Sequence, residues 1–201
     1  MINQIPKALI FFRLSLGVMI LVFSIFQIEN YSSVALILFC AGMLTDIFDG
    51  IIARQLNISS ENLRRLDSTV DQLFFISVAI ATFIQSPQFF YQNKIKLIIL
   101  LSAEMLAYLI CFLKFKKEIA IHSILSKAWA LILFATISQI IITKNSTTLF
   151  DICFYMGVIT RLEIIAIILV LRKWTNDVPG LYHAILLRQG KTIMRHKLFN
   201  G

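Results

Sequence analysis

The amino-acid sequence predicts an all-α polytopic integral membrane protein with six transmembrane helices and both termini in the cytoplasm. Three observations predict it. The composition is 58% hydrophobic against 15% charged, with a mean hydropathy of +0.82, which is too apolar for a chain that must wet its whole surface. The apolar residues, 17 Phe among them, fall in runs that match the roughly 20 helical residues needed to cross a bilayer core. The basic residues favour alternate connections, as the positive-inside rule requires of a chain that crosses repeatedly.

Taken in order, the expected spans are about 8–27, 33–54, 66–86, 95–113, 124–143 and 149–171. The first is too long, and too lightly charged at its front, for a cleaved signal peptide, and no small-residue cleavage site follows it. Spans two and three carry acidic pairs where they face each other across a short loop. All connections are short, so neighbouring helices should run antiparallel. The organisation expected is one six-helix transmembrane domain over residues 1–172 and a basic interfacial tail over 173–201. No internal repeat or low-complexity tract interrupts it.

Arg54, Arg64 and Arg65 gather in one loop region, Lys114, Lys116 and Lys117 in another, and further cations run from Arg172 to Lys197. The alternate loops hold only Lys94, Lys96 and Lys144. The loops at 55–65 and 114–123 are therefore expected on the cytoplasmic side with the termini. The net charge of +8 reads as a basic rim facing anionic lipid, not as a nucleic-acid surface. Cys40, Cys111 and Cys153 stand singly in different spans, with no metal-ligand spacing, and are expected to be small core residues.

The stretch "LTDIFDGIIARQLNISSENLRRLDSTVDQLFF" places four carboxylates in or beside apolar spans. Ionisable groups at membrane depth cost several kcal/mol and mark function by default. Asp46 and Asp49 are i and i+3 at the end of span two, with Gly50 and Ala53 on or near the same stripe. Asp67 and Asp71 are i and i+4 at the start of span three. A short loop makes the two helix ends a hairpin, so all four can meet in one pocket. That pocket would lie roughly 5–12 Å below the surface at about 1.5 Å per residue.

Four carboxylates cannot all be ionised in a dry pocket unless something cancels them. Oxygen-only ligands without His or Cys point to Mg²⁺ or Mn²⁺, two ions being within reach of four carboxylates. Such sites normally share the ion with substrate phosphates. Gly50 and Ala53 leave room for a nucleotide, and Arg54 is placed to grip a phosphate. Spacing alone favours this metal–phosphate chemistry over a cation or proton path, and that over a purely structural role.

The run Asp46-x2-Asp49-Gly50-x2-Ala53-Arg54, then twelve residues, then Asp67-x3-Asp71, resembles the signature of the CDP-alcohol phosphotransferase (phosphatidyltransferase) family, D-x2-D-G-x2-A-R-x8-G-x3-D-x3-D. The opening "IPKALIFFRL" is similar to the "IPN…R" start of many members. One position departs: Leu63 stands where the pattern has its second glycine.

The resemblance implies a metal-dependent transferase of phospholipid biosynthesis, moving a substituted phosphate from a CDP-linked donor to an alcohol with release of CMP. The donor implied is CDP-diacylglycerol, and the acceptor a small polar alcohol with glycerol 3-phosphate as default. Asp46, Asp49, Asp67 and Asp71 would hold Mg²⁺ or Mn²⁺, Asp71 serving also as general base. Asp46, Gly50, Ala53 and Arg54 would hold the nucleotide, and a side chain at Leu63 would crowd it. A homodimer in the cytoplasmic membrane, its site facing the cytoplasm, completes the implication. The opposing class is a small cation or proton transporter, which would distribute its acidic groups across the bilayer.

Candidates for an anionic acceptor are Arg13 in span one, Lys127 at the mouth of span five and Arg161 in span six. His122 is a weaker one, and an interfacial anchor is the plainer account of both Lys127 and His122. Arg161 and Glu163, two apart, cannot share a face, and a structural ion pair with Glu104 is expected for one of them. Asp151 is expected to be solvated. After Pro179-Gly180 the tail offers an apolar stripe at Leu181, Ile185 and Leu186 before Arg188, Lys191, Arg195 and Lys197, which fits an interfacial segment with Trp174 and Tyr182 at headgroup level.

Overall fold

A computed structural model describes residues 5–55, 61–117, 119, 121 and 123–193, with side chains at all of these except 53–55, 61, 62, 64 and 65. His122, Arg195 and Lys197, and the side chains of Ala53, Arg54, Arg64 and Arg65, thus lie outside the described residues. The elements are α1 (Ile5–Ile25), α2 (Tyr31–Gln55), α3 (Glu61–Gln85), α4 (Pro87–Gln92), α5 (Lys94–Phe115), α6 (Ile124–Thr143), α7 (Thr148–Val170) and α8 (Leu181–Arg188). There is no strand among the described residues. Six of the helices, 20 to 23 residues long over their apolar parts, are long and apolar enough to cross a membrane. They coincide with the six expected spans to within a few residues.

Two short helices were not foreseen. α4 follows span three at once, because Pro87 can open a helix at a position whose missing N–H is not needed but cannot extend α3. α8 forms from the tail's apolar stripe and buries Ala184 among Ile164, Ile167, Ile168 and Val178. The α1–α2 reversal is tight because Asn30 takes a left-handed φ of 56°, a conformation Asn tolerates better than most residues. Its carbonyl accepts the N–H groups of Ser33 and Val34, which starts α2.

The chain divides into two compact units, Met1–Phe90 with Ile137–Asn145, and Tyr91–Thr136 with Ser146–Gly201. In the first, α1 packs on both α2 and α3. Each helix turns one narrow stripe inward at intervals of three and four residues. On α1 the stripe is Pro6, Ile10, Arg13, Gly17, Ile20 and Ser24. On α2 it is Tyr31, Ala35, Phe39, Gly42, Thr45 and Asp49, and on α3 Leu63, Val70, Phe74, Val78 and Ala81, all buried. The outer faces stay apolar and exposed, at Phe11, Phe12, Val18, Ile37, Ile47, Phe48 and Ile76 for example. In a bilayer those faces meet hydrocarbon, where exposure carries no penalty.

Phe74 fixes the three helices against one another. A Cβ on Gly42 would stand 2.6 Å from its Cε2, inside the ring's contact radius, and one on Gly17 would stand 3.1 Å from its Cδ2. Glycine at 42 and a close approach at 17 let the ring reach the middle of the unit, where it stacks on Phe39 with centroids 6.0 Å apart. Far from the acidic end, the Ser24 hydroxyl donates to the Ala81 carbonyl at 3.0 Å and Gln85 donates to the Ser24 carbonyl at 3.1 Å. These bonds hold α1 and α3 in register from the other end.

In the second unit, α5 packs on α7, and α7 on α8. The Lys114 ammonium donates to the carbonyls of Ile168 and Leu169, at 3.0 and 2.7 Å, where α7 ends. This satisfies acceptors that a helix C-terminus leaves open and complements its dipole. Arg161 pairs with Glu104, and its guanidinium lies 4.6 Å from the centre of the Trp129 ring. The indole N–H of Trp129 donates to the Cys153 carbonyl at 3.0 Å. Glu104 thus finds its expected partner, and that partner is Arg161. The cysteines are free, Cys111 and Cys153 buried and Cys40 half-buried. Asp151 keeps 48% of its side chain exposed, as expected of a solvated group. It also pairs with Lys96 across α5 and α7, because two partly exposed opposite charges on facing helices lie within reach.

Candidate active site

The acidic end of α1, α2 and α3 follows from the stripes that pack them. On α2, Asp49 continues the line Phe39, Gly42, Thr45 by one more turn, and Asp46 lies beside it. On α3, Asp67 and Asp71 precede Phe74 by seven and three residues, so they share its face. Seating Phe74 between the two glycines therefore brings both aspartates of α3 to the level of those on α2. On α1, Arg13 stands one turn before Gly17 and faces the same point.

The result is four carboxylates around one guanidinium. Nη1 of Arg13 lies 3.1 Å from Asp46 Oδ1, 3.1 Å from Asp67 Oδ1, and bonds to Asp71 as well. Nη2 bonds to Asp49. Nε points at the Thr45 hydroxyl oxygen at 3.5 Å, a long contact, while that hydroxyl donates to the Gly42 carbonyl at 2.7 Å. Arg13 and Asp49 are sealed, with 1% and 3% of the side chain exposed, whereas Asp46, Asp67 and Asp71 keep 42%, 32% and 29%. The cluster has a closed floor and an open side.

One carboxylate oxygen each from Asp46, Asp49 and Asp67 lie within 4.8 Å of one another. Around an octahedral Mg²⁺ with metal–oxygen distances near 2.1 Å, ligand atoms stand about 3.0 Å apart when adjacent and about 4.2 Å when opposite. The three oxygens are thus close enough for modest side-chain movement to bring them around one ion, and the all-oxygen donor set suits Mg²⁺ or Mn²⁺. The residues fit such an ion, with Asp71 next in line through its shared contact with Arg13.

A protein-family model for CDP-alcohol phosphatidyltransferases matches residues 3–177. That match spans most of the chain and includes every residue of the cluster. The chain belongs to the CDP-alcohol phosphatidyltransferase family. It is accordingly a phosphotransferase that moves a phosphate-linked group from a CDP-alcohol to an acceptor. Comparison with curated proteins and with solved structures gave no significant match. The family is generally dependent on divalent metal, which agrees with the donor set just described.

Within this CDP-alcohol phosphatidyltransferase, the remaining residues singled out from sequence fall as follows. Gly50 is half-buried on α2. Ala53 and Arg54 continue the same helix by backbone. Leu63 is buried in a small cluster with Ile10 and Val70, flanked by Leu14 and Leu66. It therefore fills the α1–α3 contact one turn below Arg13, and this contact is what the departure from the family's glycine supplies. Lys127 sits in the first turn of α6, half-buried, its N–H bonded to the Ser123 carbonyl at 3.2 Å.

Three features of the site were missed in the sequence: Thr45, Gly17 and Gly42. Gly42, Thr45 and Asp49 recur at helical spacing, so small residues on the stripe of a buried carboxylate were the available signal.

Proposed function

We propose that the protein transfers the phosphatidyl group of CDP-diacylglycerol to glycerol 3-phosphate, releasing CMP, with Mg²⁺ or Mn²⁺ held by Asp46, Asp49, Asp67 and Asp71. The observation that carries this is the convergence of four carboxylates at one end of a three-helix unit, with an open side through which a phosphate can approach. In the reaction the acceptor hydroxyl oxygen attacks the lipid-bearing phosphorus. The bond from that phosphorus to the bridging pyrophosphate oxygen breaks, and CMP leaves with that oxygen. Asp71, one turn further along α3 than Asp67, takes the hydroxyl proton, a role worth about 10²–10⁴-fold in rate. A bound divalent ion supplies neutralisation of the pyrophosphate charge.

Asp46, Gly50, Ala53 and Arg54 line one edge of α2 and serve the nucleotide. Lys127 is our candidate for the acceptor's phosphate. Arg13, another candidate from sequence, has its donors turned to the carboxylates, and we assign it a different role below. The positive-inside distribution of Lys and Arg supports a site on the cytoplasmic face of the cytoplasmic membrane, with both termini on that side. The exposed Leu181, Tyr182 and Ile185 of α8, beside Arg188 and Lys191, support an interfacial position for the tail. The homodimer that the family resemblance implies is tested by cross-linking in native membranes.

The experiment is an acceptor screen. Protein in nanodiscs receives CDP-diacylglycerol, Mg²⁺ or Mn²⁺, and one alcohol at a time among glycerol 3-phosphate, inositol, inositol phosphate and serine, with CMP release as readout. Release with glycerol 3-phosphate is expected. Release with another alcohol corrects the acceptor, and release only from CDP-choline or CDP-ethanolamine corrects the donor. Silence with every pair, together with cation flux in proteoliposomes, establishes the transporter class instead.

A further inference from the structure

Arg13 is among the large side chains that are fully buried in the acidic unit, with 1% exposed, and it is bound in an unusual way. A guanidinium has five N–H donors and no acceptor. Here Nη1 serves Asp46, Asp67 and Asp71, Nη2 serves Asp49, and Nε is turned to Thr45. Its fork therefore stands at the point the four carboxylates share, which is also where three of their oxygens come within 4.8 Å of one another. An anionic acceptor at Arg13 would have to displace these bonds and face four carboxylates of its own sign.

We propose that Arg13 is the built-in counter-cation of the aspartate cluster: it gathers the carboxylates when no divalent ion is bound and competes with that ion for them, so that it sets the metal affinity of the site. This rests on the reading of the cluster as a metal site. Among the described side chains, four carboxylates share this one guanidinium. Without Arg13 the unloaded unit would hold these like charges beside apolar helices without the cation that now gathers them, which is unfavourable. The carboxylates are exchanged between two cations, one belonging to the chain and one taken from solution. Arg13 is thus a positioning residue, acting on the substrates only through the aspartates.

The sign of the effect separates this role from plain structural support. Deleting a competing positive charge a few ångströms from a divalent ion strengthens binding by about tenfold or more on Coulombic grounds. Deleting a merely structural residue leaves the affinity unchanged or weakens it. The test is Mn²⁺ binding followed by electron paramagnetic resonance, with protein in zwitterionic-lipid nanodiscs and no CDP donor present. Wild type, Arg13→Lys, Arg13→Gln and Asp67→Asn are compared. The expected order of affinity is Arg13→Gln tightest, by about tenfold or more over wild type, then Arg13→Lys, whose point charge spans fewer carboxylates than the fork, then wild type.

In EDTA, Arg13→Gln should also melt below wild type and recover with Mn²⁺. Should Arg13→Gln fail to fold, Arg13→Lys decides alone. Affinity equal to or weaker than wild type in the variants that fold overturns the proposal while leaving the metal site standing. Absence of saturable Mn²⁺ binding to wild type, or binding indifferent to Asp67→Asn, overturns the metal-site reading and the proposal with it.

Discussion

Arg13 and Arg161 are both guanidiniums set in long apolar helices, yet Arg13 meets four carboxylates and Arg161 meets one. Around Arg161 the charges balance, and the side chain is further covered by the Trp129 ring, itself tied to a backbone carbonyl. Gly157 makes room for that ring, since a Cβ there would stand 2.7 Å from the indole nitrogen. Nothing about that arrangement calls for another ion. Around Arg13, among the described side chains, four carboxylates share one guanidinium, and one side is open. A buried and a largely covered arginine in one membrane protein thus mark a many-carboxylate cluster and a single structural pair, and the number of carboxylates each meets tells them apart.

The largest effect that could break this contrast is on catalysis. Asp71→Asn keeps size and packing but removes the base, and should lower kcat about 10²–10⁴-fold without lowering the melting temperature, because it also removes one of four like charges. CMP release and a thermal melt on the same preparation check both halves. A variant that melts lower in proportion to its lost activity would make the cluster structural, like the Arg161 pair.

Next in size is Gly42→Ala. The added methyl meets the Phe74 ring, which should push α3 away from α2 and carry Asp67 and Asp71 with it. Overpacking of this kind costs about 1–3 kcal/mol, and a misplacement near 1 Å costs up to about 10²-fold in rate. Unchanged Mn²⁺ affinity and kcat in a stable Gly42→Ala protein would show that Phe74 does not set the carboxylates.

Glu104→Gln tests the balanced pair. It leaves Arg161 without its counter-charge and should cost roughly 1–3 kcal/mol of stability, less than the 3–5 kcal/mol of a fully buried pair because Glu104 is 35% exposed. The kcat of the molecules still folded should not change. The smallest effect belongs to Lys96→Ala, which breaks the half-exposed pair with Asp151 and should cost under about 1 kcal/mol.

The difference between the two arginines was only half legible in the sequence. The spans could be seen because an apolar run of about 20 residues has few other uses. The four aspartates could be seen to converge because i, i+3 and i, i+4 spacings are geometric statements within one helix, and a short loop couples the two helices. Glu104 and Arg161 could be matched because a charge in lipid must find a partner. The position of Arg13 could not. A helix that is apolar all round carries no moment to say which face turns inward, so the rotation of α1 is set by packing such as that of Gly17 against Phe74 and Ser77 of α3. The same gap hid the seat of Phe74 between Gly17 and Gly42. Leu63 raised a question in the sequence as a departure from the family pattern, and its place beside Ile10 and Val70 answers it as a packing residue of α1 and α3.

The most direct measurement of the central claim is CMP release from CDP-diacylglycerol and glycerol 3-phosphate, in EDTA and in Mn²⁺, by wild type, Asp71→Asn and Glu104→Gln side by side. The expected result is release that requires the divalent ion, disappears in Asp71→Asn and persists per folded molecule in Glu104→Gln. Release that continues in EDTA, or that Glu104→Gln abolishes while Asp71→Asn spares it, would contradict it.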